Sequence, residues 1–201
     1  MSSFESVFES ATTLLEQRHK ENKANWYNVD GTPKKNCSWH LAAKTIQGDA
    51  GEQVVAGIFK HLYEKIYKGY TIDVEVVGLL KGDAGDYDVK VVVKELDLTI
   101  RIEVKTATQG QNGSYQWNGI KKHLHYDYAF GLGVRPDDFV FSIIDKKRIG
   151  KLTTLMSKNI EDAFKWSPTK EDNVRELTEE NFIERLEELN LLGGDVPKVS
   201  L

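Results

Sequence analysis

The chain has 201 residues, 40% hydrophobic and 29% charged, with 27 Lys and Arg against 31 Asp and Glu for a net charge of −4. That length suffices for one domain with an ample core, and no run of about 18 apolar residues is present to cross a membrane. The mildly acidic balance argues against nonspecific coating of nucleic acid by a basic surface.

The N-terminus, Met-Ser-Ser-Phe-Glu-Ser, lacks a basic segment leading into an apolar stretch, so no secretion signal is expected. The lone Cys37 allows no intramolecular disulfide and suits a reducing compartment, which points to the cytoplasm.

Helical spacing of Phe4, Val7, Phe8, Ala11, Leu14 and Leu15 predicts a helix over 3–22. Residues 23–47 read as irregular, punctuated by Asn-Trp-Tyr-Asn-Val-Asp-Gly-Thr-Pro. A second helix is expected from near Asp49 to about Lys68, with Val55, Phe59, Leu62 and Ile66 as its apolar stripe. Strands follow at about 71–79, 86–94 and 97–106, then a short helix over 117–124 and strands at 127–134 and 139–144. A helix near 146–157 and another over 179–192 complete the pattern, the last with Thr178 as N-cap and a Leu177–Phe182 staple. The expected architecture is one α/β domain over 1–201. Its core spans about 49–144, with a mixed sheet containing an antiparallel meander, and helical segments cover 1–47 and 146–201.

Two neighbouring strands carry charge on one face. In Asp86-Tyr87-Asp88-Val89-Lys90 the polar residues alternate with Tyr87 and Val89, and in Ile100-Arg101-Ile102-Glu103-Val104-Lys105 the charged residues alternate with aliphatic ones. With Glu95 and Leu96 at the centre of a hairpin, paired positions sum to 191. Asp88 then faces Glu103, Asp86 faces Lys105 and Lys90 faces Arg101. Opposed side chains have Cβ atoms roughly 4.5–5.5 Å apart, where two carboxylates repel unless a cation or proton lies between them. Such a pair suits one hard divalent ion such as Mg²⁺. The same pattern also describes a solvated sheet face laced with ion pairs.

This layout resembles the PD-(D/E)xK nuclease superfamily, and most of all a type II restriction endonuclease. Asp88 fills the place of the first acid, and Glu103-Val104-Lys105 that of the acid-x-Lys strand. Glu52 matches the glutamate that many members carry on the preceding helix. The resemblance covers roughly Asp49 to Ile144 and departs from the pattern in having no Pro before Asp86 or Asp88. It implies a restriction-endonuclease-like core and Mg²⁺-dependent hydrolysis of DNA phosphodiester bonds, with Mn²⁺ able to substitute. It also implies double-stranded DNA as partner and a homodimer. The implied catalytic set is Asp88, Glu103, Lys105 and Glu52. The implied metal ligands are Asp88, Glu103 and the Val104 carbonyl, with Glu52 less certain and Asp86 as an alternate.

For Glu52 the competing reading is a helix cap, with Asp49 as N-cap and Glu52 three residues on. Tyr115 and Gln116 resemble the polar positions that members place after the acid-x-Lys strand, and Gln116, Asn118, Lys121, Lys122, His123 and His125 are candidate DNA contacts. As residues of a short helix, several would instead form a solvated basic face. The five histidines lack metal-ligand spacing, and neither a Gly-rich phosphate loop nor a Gly-x-Ser-x-Gly elbow occurs. No nucleotide cofactor is expected. The alternatives are a repair, junction-resolving or phage-defence nuclease of the same superfamily, or a binding module without catalysis.

Overall fold

The computed structural model describes residues 25–77, 86–110, 112–157 and 160–192. The helix expected over 3–22, the far end of the strand expected over 71–79, and the residues beyond 192 lie outside them.

Helix α1 is Cys37–Leu41 and α2 is Lys44–Ile66. Strands β1, β2 and β3 are Ile72–Val76, Val89–Val93 and Leu98–Thr108. They are followed by β4 at Trp117–Lys121, β5 at Tyr128–Val134 and β6 at Phe139–Asp145. Helix α3 is Lys146–Gly150, β7 is Leu155–Ser157, β8 is Ile160–Trp166, β9 is Arg175–Glu176 and α4 is Glu179–Glu188. The protein is a mixed α/β structure. A six-stranded sheet runs in the order β1-β2-β3-β5-β6-β9, with β3 and β5 parallel and all other neighbours antiparallel. A second sheet has the order β4-β8-β7.

Alternation decides which side of the central sheet each residue serves. Val89, Val91 and Val93 of β2 and Ile100, Ile102 and Val104 of β3 are buried with Val55, Phe59 and Leu62 of α2. Phe182 and Leu186 of α4 close the same cluster. The opposite face of β5 and β6, through Ala129, Val140 and Ile144, packs with Trp117, Ile120 and Trp166 of the second sheet.

Within the ladder the hairpin register matches the expected sum, but β2 begins at Val89 rather than at 86, so the expected pairs Asp88 with Glu103 and Asp86 with Lys105 fall outside it. Val89 pairs with Ile102, Lys90 with Arg101 and Val93 with Leu98, and a turn with Asp97 at φ 49° closes the loop. Thr178 caps α4, its side chain accepting from Asn181 N at 3.2 Å.

Several expectations are corrected. Helix α2 begins at Lys44 rather than near Asp49, so Asp49 lies inside it and the capping-box reading of Glu52 falls. The irregular stretch 23–47 contains α1, whose Cys37 is buried and forms no disulfide. The helix expected over 117–124 is instead strand β4 over Trp117–Lys121 followed by a turn. The β4–β8 register shifts between Asn118 and Ile120, and Gly119 has φ +85°, so a bulge leaves Trp117 and Ile120 buried at a three-residue spacing that mimics a helix. The helix expected over 146–157 stops at Gly150. The segment after 146, expected to be helical, supplies β7, β8 and β9.

Helix α2 approaches β3 closely at Gly51, where an added Cβ would lie 1.8 Å from Thr106 Oγ1. Alanine improves helix propensity by about 1 kcal/mol over glycine, but overpacking costs about 1–3 kcal/mol and more for so close an overlap. Gly51→Ala is expected to lower Tm by a few degrees in a thermal melt. An unchanged or higher Tm would show that the helix–strand spacing relaxes freely.

Candidate active site

The ladder between β2 and β3 ends at Val89 and Ile102, while β3 continues to Thr108. Past that point the β2-side edge of β3 is met by a side chain. Asp88 Oδ2 accepts a hydrogen bond from Val104 N at 2.7 Å, standing where a strand carbonyl would otherwise stand. This holds the Asp88 carboxylate beside Glu103 and Lys105, which project on one face of β3 as alternation requires. Lys105 Nζ forms an ion pair with Glu103 Oε1 and lies 3.8 Å from Asp88 Oδ2. Glu103 is buried, with 7% of its side chain exposed, and Lys105 keeps 22%.

Glu52 comes from the other side of the sheet. Gly51 brings α2 against Thr106, so the next residue reaches the open edge of β3. Burial pushes the Glu52 carboxyl up to about 7, the charges of Asp88 and Asp49 act in the same direction, and Lys105 opposes them. Burial also raises the Glu103 carboxyl, opposed by Lys105 and reinforced by Asp88. Burial works against the charge on Lys105, but Glu103 and Asp88 hold its pKa above the usual lysine value. Three carboxylates thus gather about the Lys105 ammonium, with a weaker pull of Lys121 on Glu103, which leaves the site short of positive charge.

That shortage is what a divalent cation relieves, and the donors are hard oxygens of the kind Mg²⁺ takes. Among the described residues, however, no three His, Cys, Asp or Glu side chains form a group that could hold a metal ion. Glu52, Asp88 and Glu103 therefore do not converge as one ligand set. Asp88 is tied to Val104 N, Glu103 to Lys105, and Glu52 lies across the strand edge. Two carboxylates completed by water and substrate phosphate remain a usual Mg²⁺ environment. Asp86, the alternate ligand, is engaged elsewhere, with its Oδ2 at 2.8 Å from His125 Nδ1.

The other candidates separate. Gln116 and Asn118 are exposed. Lys121 stands near enough to Glu103 to favour its ionised form. Lys122 has a structural task, donating to the carbonyls of Gly150 and Leu152 with its ammonium 4.0 Å from the Phe164 ring centroid. His123 Nδ1 lies 3.7 Å from Asp162 Oδ2. Tyr115 is buried, its hydroxyl accepting from Arg135 Nε at 3.3 Å, and its ring stacks on Trp117. Tyr126 is a neighbour of the site that the sequence did not mark. Burial raises its hydroxyl pKa, Glu103 and Asp88 add to the effect, and the hydroxyl donates to Lys121 O at 2.8 Å.

A prediction follows from Glu52. A carboxyl whose folded pKa is raised is favoured protonated, so its stability contribution is present at low pH and is lost as pH rises toward about 7. Glu52→Gln copies the protonated form. In EDTA the variant is expected to match wild type near pH 4 and to melt at a higher temperature at pH 8. A Tm difference independent of pH would contradict the raised pKa.

Comparison with known proteins leaves the family open. No protein-family model matches the chain, and no curated protein matches it. Among solved structures, the chain is similar to one titled as a bacterial homing endonuclease, I-Ssp6803I, at 13% identity and a TM-score of 0.38, over 75% of this chain and 99% of that one. Likeness at that level assigns neither a family nor an activity. No described helix is long and apolar enough to cross a membrane.

Proposed function

We propose that the protein is a metal-dependent DNA endonuclease with a restriction-endonuclease-like core, acting as a type II restriction enzyme. The observation that carries this reading is the union, at one open strand edge, of Asp88, Glu103 and Lys105 in the acid, acid-x-Lys order. A solvated sheet face would leave such charges exposed, whereas here Glu103 is buried and Asp88 is anchored by a main-chain N–H.

In this reading Asp88, Glu103 and the Val104 carbonyl would hold Mg²⁺, completed by water and substrate phosphate, while Glu52 stands across the strand edge outside that set. The ion would acidify water and offset charge at the scissile phosphate. The protein's own groups do the rest. Hydrolysis adds water to phosphorus and breaks one P–O bond, so the water loses a proton and the leaving oxygen gains one. Lys105, kept protonated by its carboxylate neighbours, contributes positive charge and orientation at the phosphate rather than proton abstraction. Glu103 and Asp88 fix its ammonium, and β4 covers its stem, since a Cβ at Gly119 would lie 3.8 Å from Lys105 Cε.

The test is incubation of purified protein with plasmid or phage DNA and Mg²⁺. Discrete fragments support a restriction enzyme. A smear or cutting only at branched structures would make it another nuclease of the superfamily. Absence of cleavage together with absence of Mg²⁺-dependent stabilisation would sink the enzymatic reading and leave a binding module.

A further inference from the structure

A cavity of 510 Å³ opens beside the Glu103–Lys105 face, lined in part by Arg101, His123, His125, Asp127, Lys146 and Lys147. Arg101 shares the β3 face of Glu103 and Lys105, two and four positions upstream.

The two carboxylates of this cavity are already engaged. Asp127 Oδ2 accepts from the Arg101 main-chain N–H at 2.9 Å and lies 3.8 Å from the Arg101 guanidinium. Asp145 Oδ1 accepts from Arg148 N at 2.8 Å as the cap of α3. The cations are more numerous. Lys146 Nζ donates to Leu124 O at 2.6 Å and stands 4.2 Å from the Tyr126 ring centroid, which fixes its ammonium in place. Lys147 is exposed, and its ammonium makes no hydrogen bond or ion pair among the described residues. Lys90 directly opposes Arg101 on β2, a like-charge pair that is unfavourable by itself, although Glu75 flanks Lys90 on β1. Of the two histidines, His125 meets Asp86 and His123 meets Asp162.

Resting on the nuclease reading, we propose that this cavity binds a backbone phosphate of the DNA strand, upstream or downstream of the bond cut at Lys105. The guanidinium of Arg101 supplies a planar fork for phosphate oxygens, and Lys147 supplies a mobile point charge at the rim. The spacing suits this role. Four strand residues span about 13 Å at roughly 3.3 Å each, close to the rise of four nucleotides at about 3.4 Å per nucleotide. The cavity thereby sets the register of the strand across the catalytic edge while reading no base.

The experiment measures Kd for a fluorescein-labelled duplex by anisotropy across a salt series. It uses the full chain carrying Asp88→Asn, with Mg²⁺ present, alone and with Arg101→Gln, Lys147→Gln or both. Each added substitution is expected to weaken binding several-fold near 100 mM salt and to reduce the slope of log K against log salt by about one, with both reducing it by about two. Lys60→Gln, an exposed charge on α2 across the sheet, serves as control and should leave the slope unchanged. Lys147 is a surface side chain, so its variant reports on binding even if Arg101→Gln disturbs the fold. Slopes unchanged in Lys147→Gln and in the double variant would overturn the cavity's role while leaving cleavage by wild type intact. A parent that neither binds duplex nor cleaves it as wild type would instead overturn the nuclease reading, and the cavity's role with it.

Discussion

Lys105→Ala is expected to slow DNA cleavage by at least about a hundredfold, the scale on which a preoriented charge at a reacting centre acts. Lys105 Nζ is held by Glu103 and stands 3.8 Å from Asp88, with its pKa raised above the ordinary lysine value. The ammonium is thus charged and held in place, so in the proposed reaction its stabilisation of developing phosphate charge would need no reorganisation. Removal leaves the neighbouring carboxylates of Asp88 and Glu103 without it. Mg²⁺ affinity is therefore expected to hold or tighten while the rate falls, since one competing cation has left the oxygen donors. Titration of Mg²⁺ by calorimetry separates the two effects, and a thermal melt confirms folding. Cleavage at the wild-type rate would show that Lys105 is a structural counter-ion only. A parallel loss of metal affinity and rate would mean that the lysine chiefly organises the carboxylates.

The largest stability effect is expected away from this site. The Asp172 side chain is fully buried and receives a two-pronged grip from Arg148, with Nη2 at 2.9 Å from Oδ2 and Nε paired to Oδ1. The Thr169 main-chain N–H adds a third bond at 2.8 Å. Burial pushes the Asp172 carboxyl up, but the bonds from Arg148 and Thr169 outweigh it and hold the pKa below the usual aspartate range. Arg148→Met keeps much of the stem and removes the charge, leaving a buried carboxylate without its partner. Such breaks cost about 3–5 kcal/mol at neutral pH.

The pH dependence has a definite sign. With its folded pKa depressed, wild-type Asp172 contributes stability above the unfolded carboxyl pKa, and that contribution is lost as pH falls through the folded value. In the variant burial dominates, the folded pKa rises, and stability is lost as pH increases. The gap between the two proteins in urea denaturation should therefore be largest at pH 7 and shrink toward pH 4. A gap that does not change with pH would assign the loss to packing rather than to the ion pair.

Local pattern carried a good deal of this molecule. Alternation, strict in Ile100–Val104 and looser in Val89–Val93, marked both hairpin strands, their faces and their register within the ladder, because a strand's two faces differ in burial and a one-residue slip would invert every side chain. The cap at Thr178 was equally legible, being a local hydrogen bond between residues three apart. The β4 bulge was not, since one inserted residue turns a period of two into an apparent period of three. Strands β7 and β9 were missed because they are three and two residues long, and short strands exist only through their partners.

For the candidate site the division is similar. Sequence alone determined that Glu103 and Lys105 share a face, because this follows from backbone periodicity, whereas it placed Asp88 within a strand opposite Glu103 and the ladder in fact stops at Val89. Only the tertiary structure decided that Asp88 caps Val104 N, that Gly51 lets Glu52 approach from the opposite side, and that β4 closes over Lys105. Each of those contacts joins elements far apart in the chain, and their geometry depends on how closely backbones pack, which no local pattern encodes.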